Sequence, residues 1–141
     1  FARGGFPVAG TLARLADVTV PLCAIACETD HIAGWVASYN GVRQMGSADK
    51  TFILSESGHV AGIINPPSRN KYGHWTNPDL SGSAAAWKSA ASRQAGSWWP
   101  TWAAWLAPRS GPLVAARDPG DSAHPPLCPA PGTYVTAPPG P

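Results

Sequence analysis

Five stretches of the chain read as secondary-structure elements. Val18 to Cys27 (VTVPLCAIAC) is short, apolar and β-branched at its start, which predicts a buried parallel strand over 20–26, entered at Pro21. In WVASYNGVRQM, Trp35, Val36, Tyr39, Val42 and Met45 recur at roughly helical spacing and predict a helix that Asn40-Gly41 weakens. Lys50 to Ser55 (KTFILS) predicts a second strand, stopped by Ser57-Gly58-His59. Val60 to Ser83 carries Pro66, Pro67 and Pro78 among glycines and asparagines, and predicts an ordered loop. Ala84 to Arg93 is alanine-rich and helix-prone. Ser97-Trp98-Trp99-Pro100 opens a further helix, with Pro100 suited to the first turn. Within it, Trp98, Trp102 and Trp105 fall at i, i+4 and i+7, and with Leu106 predict a stripe facing the core. A stacking platform for bases or sugars is the weaker reading of the same residues.

Composition changes this picture in three places. Ten of the 16 prolines fall from Pro108 onward, so 108–141 is expected to be a proline-rich tail without regular helix or central strand, and 1–107 the folded part. Charged residues make up 13%, against about 25% in soluble domains, so some apolar surface is expected to meet a partner. The net charge of +2 is spread singly along the chain, with no basic stripe to track a phosphate backbone, which argues against nucleic acid. The longest apolar runs are only a few residues, far below a membrane span of about 20. The only methionine, Met45, is internal, and a chain trimmed from a longer protein is the simplest expectation. Cys23, Cys27 and Cys128 form no framework of spaced half-cystines, and a reducing cytoplasm suits them. Their spacing with the histidines also lacks a zinc pattern.

The chemistry concentrates at Asp30 and His59. Each lies just past the end of a predicted strand, and one helix joins the two strands. Parallel neighbours connected by a right-handed crossover end at the same sheet edge, where α/β folds bind ligands. An Asp bonded to one imidazole nitrogen fixes the tautomer and leaves the other nitrogen free to take a proton. The same residues equally suit an ordinary helix cap and an ordinary turn, and spacing alone does not separate the two readings. His31 is expected to point away from Asp30 into loop packing, His74 to make a structural hydrogen bond, and His124 to be solvated.

Longer motifs add to this. TDHIAGW (29–35), LSESGHVAGIINPP (54–67), NKYGHWTN (70–77) and GSWWPTWAAWL (96–106) follow one another as signatures that resemble those of polyhydroxyalkanoate synthases, most like the short-chain, class I type. GGFPVAGTLARLADVTVP (4–21) and APGTYV (130–135) extend the resemblance over nearly the whole chain. Thr29, where the family commonly has Glu, and Gly34, where it often has Pro, are departures, and Gly34 is expected to loosen the acid loop.

The resemblance implies the C-terminal portion of an α/β-hydrolase fold, an incomplete α/β unit with a mainly parallel sheet and flanking helices. It implies Asp30 and His59 as the catalytic acid and histidine of a Cys-His-Asp triad. The nucleophile would sit in a Gly-x-Cys-x-Gly elbow that this sequence lacks, with Cys23, Cys27 and Cys128 as bystanders. It implies an acyltransferase that polymerises (R)-3-hydroxyacyl-CoA into polyester with release of CoA, without metal or redox cofactor. Which of Asp30 and His59 deprotonates the attacking hydroxyl stays open. Implied partners are the CoA thioester, the polyester chain, a second copy in a homodimer and the surface of cytoplasmic granules. On this reading the isolated chain is inactive, and its uncovered strand edge and sheet face predict poor solubility. The alternatives are an ester or thioester hydrolase with a serine elbow, and a non-catalytic granule- or subunit-binding module.

Overall fold

A computed structural model describes residues 2–69, 71–138 and 140. Phe1, Pro139, Pro141 and Asn70, which heads the third motif, lie outside the described residues. The chain divides into two compact units, 1–110 and 111–141.

The first unit opens with a hairpin of β1 (Phe6–Val8) and β2 (Thr11–Ala13), paired antiparallel in register Val8↔Thr11. Its two-residue turn, Ala9-Gly10, has positive φ at both positions (46° and 82°), as the twist of a tight hairpin requires. A four-stranded sheet follows, in the order β3-β4-β5-β6. Strand β3 (Leu22–Cys27) starts right after Pro21, and β4 (Lys50–Ser55) pairs with it in parallel, from Leu22↔Lys50 to Cys27↔Ser55. Helix α1 (Trp35–Gln44) makes the crossover. Asn40-Gly41 does not break it, because Tyr39 and Val42 on either side are buried against the sheet and packing outweighs local propensity.

Three expectations are corrected here. The segment 60–83 contains a strand, β5 (His74–Thr76), paired antiparallel with β4, and the helix expected over 84–93 is shorter, α2 (Ala84–Ala90). The residues after it form β6 (Ser92–Gln94), antiparallel to β5 in register Trp75↔Arg93. Pairing with β5 takes backbone groups that alanine propensity alone would have left in helix. The sheet is therefore mixed and not mainly parallel: β3–β4 runs parallel, while β4–β5 and β5–β6 run antiparallel. With helices packed on it, the architecture is α/β.

The core lies between the sheet and helices α1 and α2. Tyr39, Phe52, Leu54 and Trp87 are buried, with Ala26, Val42 and Ala84 around them. Phe52 meets Trp87 edge-on at 5.2 Å between ring centroids, and Tyr39 at 5.3 Å. Both amphipathic rings have their polar ends satisfied: Tyr39 Oη donates to Gly82 O, and Trp87 Nε1 to Asn77 O. Helix α3 (Trp99–Leu106) has Pro100 in its first turn as expected, but none of its residues is buried. The tryptophan stripe is thus not core-facing. Trp102 is 39% exposed, and the positions that fill the core belong to β3, α1, β4 and α2.

In the second unit the described residues form no strand or α-helix and one 3-10 turn, Tyr134–Thr136. His124 is exposed beside Asp121. Among the described residues, no helix is long and apolar enough to cross a membrane.

Candidate active site

Because β3 and β4 are parallel and end level at Cys27↔Ser55, the loops that leave them start side by side. The ladder continues beyond the strands, with Glu28 N donating to Ser55 O at 2.8 Å and Thr29 N to Ser57 O at 3.1 Å. The loop after β3 then delivers Asp30, and the loop after β4 turns through Ser57 (φ 71°) and Gly58 to His59. Gly34, at the head of α1, has φ −54°, a value that proline would also adopt.

Asp30 and His59, 29 positions apart, meet with Oδ1 and Nδ1 at 3.1 Å. The Asp30 side chain is 9% exposed and that of His59 36%. The same Oδ1 accepts hydrogen bonds from the backbone N–H of Ile32 (2.8 Å) and of Ala33 (3.0 Å). Asp30 does not cap α1, whose N-cap is Gly34 without a side-chain hydrogen bond; its Oδ1 instead closes a local turn before the helix while it meets His59. The N–H groups of Ala33 and Ile32, and after them the nearby His59, hold the Asp30 carboxyl below the ordinary aspartate value against the cost of desolvation. An ionised carboxylate only accepts, so in the neutral imidazole His59 Nδ1 carries the proton and Nε2 presents a lone pair. Among the described residues Nε2 has no partner.

His31 takes the packing role expected of it. Its ring lies 5.2 Å from that of His59, at 54°, so consecutive residues of the acid loop both touch the histidine. Ile32, Val60 and Ile64 stand exposed on the two loops. His74 makes the structural contacts expected of it, Nδ1 to Gly96 O at 3.0 Å and Nε2 to Thr101 Oγ1 at 2.9 Å.

Cys23 and Cys27 lie in β3, and Cys128 is exposed in the second unit. Burial pushes the Cys23 and Cys27 thiols up, and the Asp30 charge adds to the effect at Cys27, so both are held as thiols, the opposite of an activated nucleophile. Gly62 is fixed by its surroundings: a Cβ there would lie 2.6 Å from Glu56 O and 2.8 Å from Cys27 Sγ. Glu56 in turn accepts from Gly73 N at 2.6 Å and pairs with Arg93 at 2.8 Å, tying the end of β4 to β5 and β6.

The depressed Asp30 carboxyl has a consequence for stability. It contributes stability that is fully present above the ordinary value near 3.8 and is lost as pH falls through its lower folded value. Asp30→Asn is expected to lower stability at neutral pH and to flatten part of the acid limb, leaving the share of Glu56 and Asp79, which are depressed too. Chemical denaturation at a series of pH values between 2 and 7 measures this; an unchanged acid limb would contradict it.

Three features of the site carry no legible signal in the sequence: the Ile32 and Ala33 N–H donors, the ring contact of His31, and the indole bonds described below. Backbone donors are common to all residues, and the others depend on loop geometry.

No protein-family model matches the chain. It is 45% identical over 132 residues to poly(3-hydroxyalkanoate) polymerase 2 of Ectopseudomonas oleovorans, covering 93% of this chain and 23% of that protein. It is 41% identical over 135 residues to the poly(3-hydroxyalkanoate) polymerase subunit PhaC of Cupriavidus necator, covering 95% and 23%. With the PhaC subunit of Rhizobium etli it shares 40% over 126 residues, 89% of this chain and 20% of that one. The chain spans less than a quarter of the length of these curated relatives. By sequence, then, it is related over nearly all its length to a segment of the poly(3-hydroxyalkanoate) polymerases, the family its motifs resemble.

Proposed function

We propose that this chain supplies the acid and the base of a Cys-His-Asp triad in a poly(3-hydroxyalkanoate) synthase of α/β-hydrolase fold, whose cysteine lies outside these 141 residues. The observation that carries the reading is the contact of Asp30 Oδ1 with His59 Nδ1 at 3.1 Å, at the level ends of two parallel strands. The similarity to polymerases supports the choice of reaction.

In this reading His59 Nε2 takes the proton of the cysteine thiol, and the resulting thiolate attacks the carbonyl carbon of (R)-3-hydroxyacyl-CoA. The carbon–sulfur bond to CoA breaks, and the departing CoA sulfur takes the proton back from the imidazolium. Asp30 holds the ring in the tautomer that leaves Nε2 free, and stabilises the imidazolium by its charge. For elongation, the 3-hydroxyl of a monomer or chain end attacks an acyl thioester and must lose its proton. His59 is the better base for this step too, because Asp30 Oδ1 already gathers three contacts and its carboxyl is held below the usual range. Every step is acyl transfer with a thiol as leaving group, so the chemistry calls for no metal and no redox cofactor. A homodimer, and granules of the apolar polyester as the place of action, complete the reading.

The test is CoA release from 3-hydroxybutyryl-CoA by the longer protein that carries this chain. Asp30→Asn is expected to slow it by about three orders of magnitude, and the 141 residues alone to release none. An Asp30→Asn protein of unchanged rate would overturn the assignment.

A further inference from the structure

The segment that carries His59 is held by the start of α3. Trp98 Nε1 donates to Gly62 O at 2.8 Å, and Trp99 Nε1 donates to the next carbonyl, Ile63 O, at 2.9 Å. Ser55 Oγ donates to the same Gly62 O at 2.9 Å from the last residue of β4. Within the segment, Gly62 N donates to Gly58 O at 2.8 Å, closing a turn around His59. A side chain at Gly62 would meet Glu56 O and Cys27 Sγ, so the turn passes these atoms at a distance only glycine allows.

The two indoles are fixed from behind. Ser97 Oγ accepts from Trp99 N at 3.1 Å. The buried His74 of β5 bonds Gly96 O before the indoles and Thr101 Oγ1 after them. A rigid path thus runs from β5 through His74 to the first turn of α3, and from there to the carbonyls that follow His59. The indole rings are not core: with Ile63, Ile64 and Trp102 they line an open apolar cavity of about 240 Å³. Their N–H groups point inward onto the turn, so donor placement explains the Trp-Trp pair better than apolar burial does.

We propose that Trp98 and Trp99 are positioning residues for His59. By fixing the carbonyls of Gly62 and Ile63 they set where the imidazole stands between Asp30 and the acyl group. The inference rests on His59 being the base. A displacement of about 1 Å at a reacting group costs up to about 100-fold in rate, so loosening one of two donors is expected to cost about tenfold.

The experiment replaces Trp98, and separately Trp99, by benzothienylalanine in the longer protein, a change that keeps the bicyclic ring shape and puts a non-donating sulfur in place of the N–H. Trp98→Phe and Trp99→Phe serve as simpler variants, and CoA release from 3-hydroxybutyryl-CoA is the assay. The expected result is a kcat about tenfold lower for each, with KM within twofold. Trp102→Phe is expected to stay within twofold on both, since no hydrogen bond of its indole holds the turn. Should a phenylalanine variant fail to fold, the isosteric analogue still decides. Full kcat with benzothienylalanine at both positions overturns the proposal. His59→Gln measured alongside separates the two failures: inactive His59→Gln with active analogues sinks only the positioning role, whereas active His59→Gln sinks the base assignment beneath it.

Discussion

His59→Gln in the longer protein is expected to lower the rate of acyl transfer by about 10³- to 10⁴-fold, with KM little changed. Glutamine can still donate an N–H toward Asp30 Oδ1, so the contact that orders the two loops survives. What it lacks is a nitrogen that accepts and returns a proton, which is the only task assigned to Nε2. His59 is over a third exposed and contributes nothing to the core, so folding is expected to be nearly unaffected. Single-turnover CoA release distinguishes this from slow product release, and equal melting curves of the two proteins exclude a folding defect. A loss below about tenfold would mean that His59 is not the base.

Trp87→Ala is expected to destabilise the first unit by about 3–5 kcal/mol. Trp87 is 1% exposed and is the largest buried side chain, packed against Tyr39 and Phe52 from α2. Truncation leaves a void between α1, α2 and the sheet, and it orphans Asn77 O, which Trp87 Nε1 now satisfies. Domains hold about 5–15 kcal/mol in total, so the loss consumes a large part of the available stability. Trp87→Phe, which keeps most of the apolar volume but loses the N–H, should fall between the two. Urea unfolding followed by far-UV circular dichroism measures the difference; a midpoint within experimental error of the parent's would show that Trp87 is not the centre of the core.

The β-α-β unit is legible from the sequence because its signals are local. KTFILS forms a strand over the residues expected, and WVASYNGVRQ a helix despite Asn40-Gly41, since Tyr39 and Val42 keep the period. That unit also makes the meeting of Asp30 and His59 legible, because parallel strands joined by a crossover must end on the same edge. The antiparallel half was not legible. His74–Thr76 is three residues between breakers, and Ser92–Gln94 has no strand propensity; both exist through pairing with β4 and with each other. The tryptophan stripe misleads for a related reason. Spacing at i, i+4 and i+7 gives a common face, but not what that face meets. Here two indoles spend their N–H groups on carbonyls 36 positions away.

If Asp30 and His59 are the acid and base of a Cys-His-Asp triad, its nucleophile lies outside these 141 residues. Mass spectrometry of the acyl-enzyme formed by the longer protein with 3-hydroxybutyryl-CoA tests this most directly. The expected result is a thioester adduct on a cysteine outside these 141 residues, and none on Cys23, Cys27 or Cys128. An adduct on one of those three, or on a serine with free 3-hydroxy acid as the product, would contradict it.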